Sequence, residues 1–212
     1  MFFLGQLNLA GLVPRDAPVA RQLPSAGLLS FFYDLDSLPA GAEANDRHHF
    51  RVLWSPRIVG GGKIDPPGGV PILRSSGQVL RGQAAWRLPT EVDRRFVLGA
   101  LDEDPYNAYA DLVFNTASAG EHRLLGPADW LDGDARIQCE RATAGLWGGA
   151  WHREGPFAEQ PGAPGWRLLW QIGGNPDLER AWGDAVNLYV MIRDEDLLAR
   201  RFIRCWVVTQ CG

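Results

Sequence analysis

Phe3-Leu4-Gly5-Gln6-Leu7-Asn8 near the start of the chain and Leu168-Leu169-Trp170-Gln171-Ile172-Gly173 near its end follow one pattern, a short apolar run carrying a single Gln. What comes after each run also agrees. Gly27-Leu28-Leu29-Ser30-Phe31-Phe32-Tyr33 and then Asp34-Leu35-Asp36-Ser37-Leu38 answer to Val186-Asn187-Leu188-Tyr189-Val190-Met191-Ile192 and then Arg193-Asp194-Glu195-Asp196-Leu197. Setting Leu29 on Leu188 brings Leu38 onto Leu197 as well. A third pair, Phe50-Arg51-Val52-Leu53-Trp54 and Ile203-Arg204-Cys205-Trp206-Val207, shares the order apolar, Arg, any residue, apolar, apolar.

These runs are rich in aromatic and branched residues and too short for helices, so they read as strands buried on most of both faces. Three strands cannot bury their apolar surface alone, and two copies packed together can. The expected fold is therefore mainly β with a few short helices (α+β class). Duplicated three-strand units pack as one β-roll-like domain over residues 1–212 with pseudo-twofold symmetry. Copy one spans 3–56, an insertion 57–165, and copy two 166–212.

Composition supports short strands joined by turns, since 25 Gly and 15 Pro are spread over 212 residues. Hydrophobic content of 46% and charged content of 22% exclude a disordered chain. A net charge of −4 gives no electrostatic case for nucleic acid or an anionic membrane, and an acidic balance suits a basic protein partner. Nine Trp serve either as core fillers or as the walls of a groove. Cys139, Cys205 and Cys211 are odd in number and lack metal-ligand spacing, which points to a reducing, cytoplasmic setting. Cys205 reads as mid-strand. The apolar N-terminus has no basic flank and is broken by Gln6 and Asn8, so it is neither signal peptide nor membrane span.

Between the copies, Pro89-Thr90-Glu91-Val92-Asp93 opens a helix with Thr90 as N-cap, and Asp104-Pro105 opens another running to about Asn115. Asn175-Pro176 starts a short helix toward Trp182, and Asp194 to Arg200 forms one whose acidic start and basic end suit the helix dipole. Ile58 to Leu73 and Phe157 to Gly165, with their Gly and Pro, read as loops.

The densest polar cluster runs from His122 through Asp129, Trp130, Asp132 and Asp134. Its Asp-x-x-Asp-x-Asp spacing is not a calcium loop and has no following glutamate ligand, so a solvated turn with Asp-to-backbone bonds is the simpler reading and no metal is expected. His48-His49 read as a solvated pair before a strand. No serine lies in Gly-x-Ser-x-Gly, and a Cys–His enzyme would need Cys139 with His122 or His152. Gly61-Gly62-Lys63 fails as a phosphate loop, because Arg57 and Ile64 occupy its required positions. Trp182-Gly183-Asp184 offers a stacking face and a polar cap, or simply a turn with Trp in the core.

Several phrases occur together in order: Phe3-Leu4-Gly5-Gln6-Leu7-Asn8-Leu9, Gly27-Leu28-Leu29-Ser30-Phe31-Phe32, His122-Arg123-Leu124-Leu125-Gly126 with Gly133-Asp134, Trp182-Gly183-Asp184, Asp196-Leu197 and Gln210-Cys211. This set resembles the YwqG-like family of bacterial proteins of unknown function. The resemblance implies a mainly β, roll-like fold and brings no catalytic residues. Relatives show an aromatic or His, then Pro, after the Gly of Leu-Leu-Gly, and Gln before Gly-Asp. Here the residues are Pro127, Ala128 and Asp132. Relatives also carry a segment before the first Gln strand, so the resemblance implies a groove or sheet edge open here that they cover.

The functional expectation is a non-catalytic interaction domain that recognises a protein or peptide partner and needs no cofactor. Its contact residues would be His122, Asp129, Trp130, Asp132, Asp134, Trp182 and Asp184. A small-molecule binder or hydrolase with its site between the copies is the alternative, and a scaffolding subunit is the third. The oligomeric state is not readable from the sequence.

Overall fold

The computed structural model describes residues 1–12, 18–57, 79–89, 103–116, 122–146, 165–173 and 186–211. The helix expected at Thr90, the loop around Gly60 to Gly62, the helix from Asn175-Pro176 and the loop from Phe157 to Pro164 lie outside these residues, as do Trp182 and Asp184. Two antiparallel sheets form the body. The first holds β1 (Phe2–Asn8), β2 (Leu28–Tyr33) and β3 (Phe50–Ser55) in that order. The second holds β4 (Arg123–Leu124), β5 (Trp166–Ile172), β6 (Val186–Arg193) and β7 (Trp206–Cys211), also in order.

The two copies agree in register as well as in pattern. Gln6 faces Ser30 in the first sheet, and Gln171 faces Tyr189 in the second. Phe3 faces Phe32, and Leu168 faces Met191. Each first strand then bulges at the same place, at Leu4 between Phe3 and Gly5 and at Leu169 between Leu168 and Trp170. A bulge resets which side chains point inward. Its repetition leaves Gln6 and Gln171 on matching faces.

The third strands correct the sequence alignment. Tyr33 faces Phe50, and carrying the β6–β7 ladder (Met191 to Trp206) back one residue sets Ile192, the counterpart of Tyr33, opposite Cys205. Phe50 therefore matches Cys205 rather than Ile203. Phe202–Arg204 is a 3-10 turn, so Arg204 lies outside the strand and Cys205 just before it. The shift is two residues, which preserves the alternation of faces and explains why the pattern concealed it.

Residues on the facing sides of the sheets make the core. Leu7, Leu29, Phe31, Tyr33 and Val52 meet Ile172, Leu188, Val190, Ile192 and Val207, all buried. Phe31 lies against Trp170 with ring centroids 4.4 Å apart. Tyr33 Oη donates 2.7 Å to the Pro39 carbonyl, and burial pushes its phenol up to about 12.

Each copy also covers the free edge of the other. The chain after β2 lies along β7, where Thr209 N–H donates to the Ala40 carbonyl and Trp206 Nε1 to the Gly41 carbonyl. The chain after β6 lies on β3, where Phe202 and Arg200 stack on Trp54. This reciprocal cover is what a twofold relation generates, and it protects two strands that would otherwise invite pairing. Gly41 makes it possible. Its φ is +75°, and a Cβ there would overlap the Val207 carbonyl.

Helices are short or peripheral: α1 (Leu9–Leu12), α2 (Glu103–Thr116), α3 (Ala135–Thr143) and α4 (Asp194–Leu198). Asp104-Pro105 does open α2, and the acidic run does open α4. No described helix is long and apolar enough to cross a membrane.

Burial on both faces holds for the second copy only. Its outer face, away from the first sheet, carries Leu168, Met191 and Val208 under the turn 127–134 and α3. On the first copy the matching outer positions are Phe3 (51% exposed), Phe32 (partly exposed) and Leu53 (45% exposed). β2 accordingly alternates between buried and partly exposed positions, as a strand does when only one side is covered.

Candidate functional site

The cluster from His122 to Asp134 lies on the outer face of the second sheet, and four polar side chains of that face hold it there. Gln171 accepts the Asp129 N–H at 2.9 Å, and its Nε2 donates 3.2 Å to Asp129 Oδ2. Gln210 Oε1 accepts the N–H groups of Leu131 and Asp132, both at 3.1 Å. Its Nε2 donates to the carbonyls of Asp132 and Gly133 at 3.0 and 3.1 Å. Tyr189 Oη donates to the Asp129 carbonyl, which Asn187 Nδ2 also reaches. The two Gln residues are buried, which they tolerate because their amides are satisfied by the turn.

Two of the three carboxylates, those of Asp129 and Asp134, are paired as well. Arg123 Nη2 meets Asp129 Oδ2 at 2.6 Å, while its Nη1 donates to the Pro127 carbonyl. Asp134 caps α3 by accepting the Arg136 N–H at 2.9 Å and also pairs with the Arg136 guanidinium. Asp132 is exposed, and Trp130 packs on Tyr189 with ring centroids 5.0 Å apart. Among the described residues no group of three or more His, Cys, Asp or Glu is placed to hold a metal. The expected solvated turn is corrected in part: Asp134 does make an Asp-to-backbone bond, but Asp129 pairs with side chains, the turn packs on the sheet through buried Gln171 and Gln210, and α3, which Asp134 initiates, was not expected. The signal was present in Asp134 followed by a ten-residue run free of Gly and Pro.

Other candidates resolve differently. Cys139 and Cys205 are buried, and burial pushes both thiols well above their ordinary values. His49 is not part of a solvated pair. Its Nδ1 lies 2.8 Å from Asp34 Oδ2 and 3.0 Å from Ser37 Oγ, and the hydrogen bonds that Asp34 receives, from His49 first and then from Ser37, hold its carboxyl at about 2.

His122 differs from its acidic neighbours. Its Nδ1 is buried without a hydrogen-bond partner, and burial lowers its pKa. It lines a groove of about 540 Å³ between the copies. One wall is Leu7, Leu12, Pro18 and Gln22, and the other is Trp170 with the turn from His122 to Pro127. Residues 80–87 form the third side, where Gly82 sits so close to the Leu12 carbonyl that a Cβ would overlap it. In the turn, Leu125 adopts φ +59° and Gly126 φ +81°. Leu125 is held in that unfavourable conformation by its N–H bond to the Leu169 carbonyl in the bulge, 3.0 Å away.

Two interlocked sheets, a turn-and-helix insertion on one outer face and a groove between the copies define a duplicated α+β domain. The chain belongs to the family described as Domain of unknown function (DUF1963), which matches residues 1–211. No curated protein matches it.

Proposed function

We propose that this chain is a non-catalytic binding domain that takes a protein partner on the outer face of its first sheet. The observation that carries the proposal is the difference between two matching faces. In copy two, Leu168, Met191, Val208 and Gln171 lie beneath a turn and an α-helix of the same chain. In copy one, Phe3, Phe32, Leu53 and Gln6 hold the same register, and the side chains of Phe3, Leu53 and Gln6 are exposed. Clustered apolar side chains around a polar amide are a common form of interaction surface. The covered copy indicates the shape of the occupant: a turn that offers main-chain groups to Gln6, followed by a helix whose small apolar side chains rest on Phe3 and Phe32.

The paired carboxylates of Asp129 and Asp134 and the buried thiols of Cys139 and Cys205 support the non-catalytic part of the reading. The narrower YwqG-like likeness and a bacterial, cytoplasmic setting belong to the same proposal, supported by the ordered phrases and the unpaired cysteines. So does a single domain over 1–212, supported by the reciprocal edge cover.

The test is site-specific photocrosslinking in cells. A photoreactive residue at Leu53 should give one discrete adduct that Phe3→Glu abolishes. The same residue at Leu198, which is 81% exposed on α4, should give none. Absence of an adduct from Leu53, or equal labelling from both positions, refutes the proposal. An adduct of twice the chain's mass identifies a second copy as the partner.

A further inference from the structure

We infer that the groove between the copies is a second, separate site, and that it binds a small carboxylate with an apolar body. Its floor is apolar, with Leu7 buried and Leu12, Leu124 and Trp170 beside it. Its polar groups are cationic or neutral, with Arg81 and Arg87 on one side and His122 and Arg123 on the other. Among the described residues no Asp or Glu lines it. Arg123 is already paired with Asp129, whereas Arg81 is exposed and makes no ion pair among the described residues.

A volume of about 540 Å³ falls inside the range of ~300–1,000 Å³ usual for small-molecule pockets. Small-molecule pockets combine apolar walls with a few placed polar groups, and the charged groups among the described lining residues of this one share a single sign. The local sign opposes the net charge of −4, and at contact distance the neighbouring groups outweigh the distant ones. His122 lines the same groove beside Arg123. Trp86, 95% exposed on the same segment as Arg81, stands at the rim with an indole free to cover a flat ligand. The carboxylate would lie toward Arg81, and the apolar body toward Trp170 and Leu124.

Calorimetry with three probes of one shape tests the site: 2-naphthoate, its neutral amide and 2-naphthylmethylamine. The acid should bind about tenfold or more tightly than the amide, as expected for a charge-assisted contact, and the amine should not bind. Arg81→Gln should lower the affinity for the acid to that for the amide, and Arg81→Lys should retain most of the preference. Arg81 is exposed, so its variants remain folded, and circular dichroism verifies this. Equal binding of acid and amide, an acid preference that survives Arg81→Gln, or no heat from the acid up to roughly 5 mM overturns the inference.

Discussion

Gln6 and Gln171 occupy the same register position in the two copies, and replacing each with Ala should have very different effects. Gln171 is buried, accepts the Asp129 N–H and donates to the Asp129 carboxylate. Truncation removes at least two hydrogen bonds, one of them to a charged group, for a loss of about 2 kcal/mol. It also strips buried methylene surface, adding ~1 kcal/mol. The total of about 3 kcal/mol, at a urea slope of ~2 kcal/mol/M, shifts the unfolding midpoint down by ~1.5 M. Gln6 is exposed and has no hydrogen bond from its side chain among the described residues. Gln6→Ala should therefore stay within about 0.5 kcal/mol of the parent, a midpoint change of at most ~0.25 M. Urea titration followed by tryptophan fluorescence and by circular dichroism reads both variants. A loss at Gln6 comparable to that at Gln171 would mean that both faces are covered in solution, and the proposed partner surface would have to be abandoned.

Gly41→Ala forces a Cβ into the Val207 carbonyl at positive φ, so it should destabilise by at least ~2 kcal/mol and lower the thermal midpoint by several degrees. The Asp34 carboxyl titrates at about 2 when folded against an ordinary 3.8, chiefly through its bond to His49. A depressed carboxyl stabilises the fold above its unfolded value, and that contribution is lost as pH falls through the folded one. Stability curves of the parent and Asp34→Asn should therefore differ near pH 5, in the parent's favour by roughly a constant amount, and converge between about pH 4 and pH 2. A gap that persists below that window contradicts the assignment. An aromatic disulfide reagent should titrate one thiol per native chain, the exposed Cys211, and reach Cys139 and Cys205 only after denaturation. Rapid labelling of all three in the native protein would show the core to be open.

The candidate site shows how far a local reading reaches. Asp129, Asp132 and Asp134 stand out by composition, and their turn-forming character was readable from Asp beside Gly. The reason the turn lies where it does was not readable, because its partners Gln171 and Gln210 are far along the chain and meet it only when β5 and β7 join one sheet. The groove is further from view. Leu7, Arg81, His122 and Trp170 share no spacing, and only packing brings them together.

The paired first and second strands were legible residue by residue, since apolar alternation and a shared Gln are local signals that two copies repeat. So were α2, opened by Asp104-Pro105, and α4, opened by its acidic turn. The third strand was misaligned by two because Arg51 and Arg204 look alike in sequence. Register is decided by hydrogen bonds to β6, which pair β7 from Trp206 and leave Arg204 in a 3-10 turn. The sequence by itself determined that two strand units exist and which of their faces are apolar. Only the tertiary structure decided that one outer face is covered and the other is not, because cover depends on what the rest of the chain places there, and no periodicity within a strand records that.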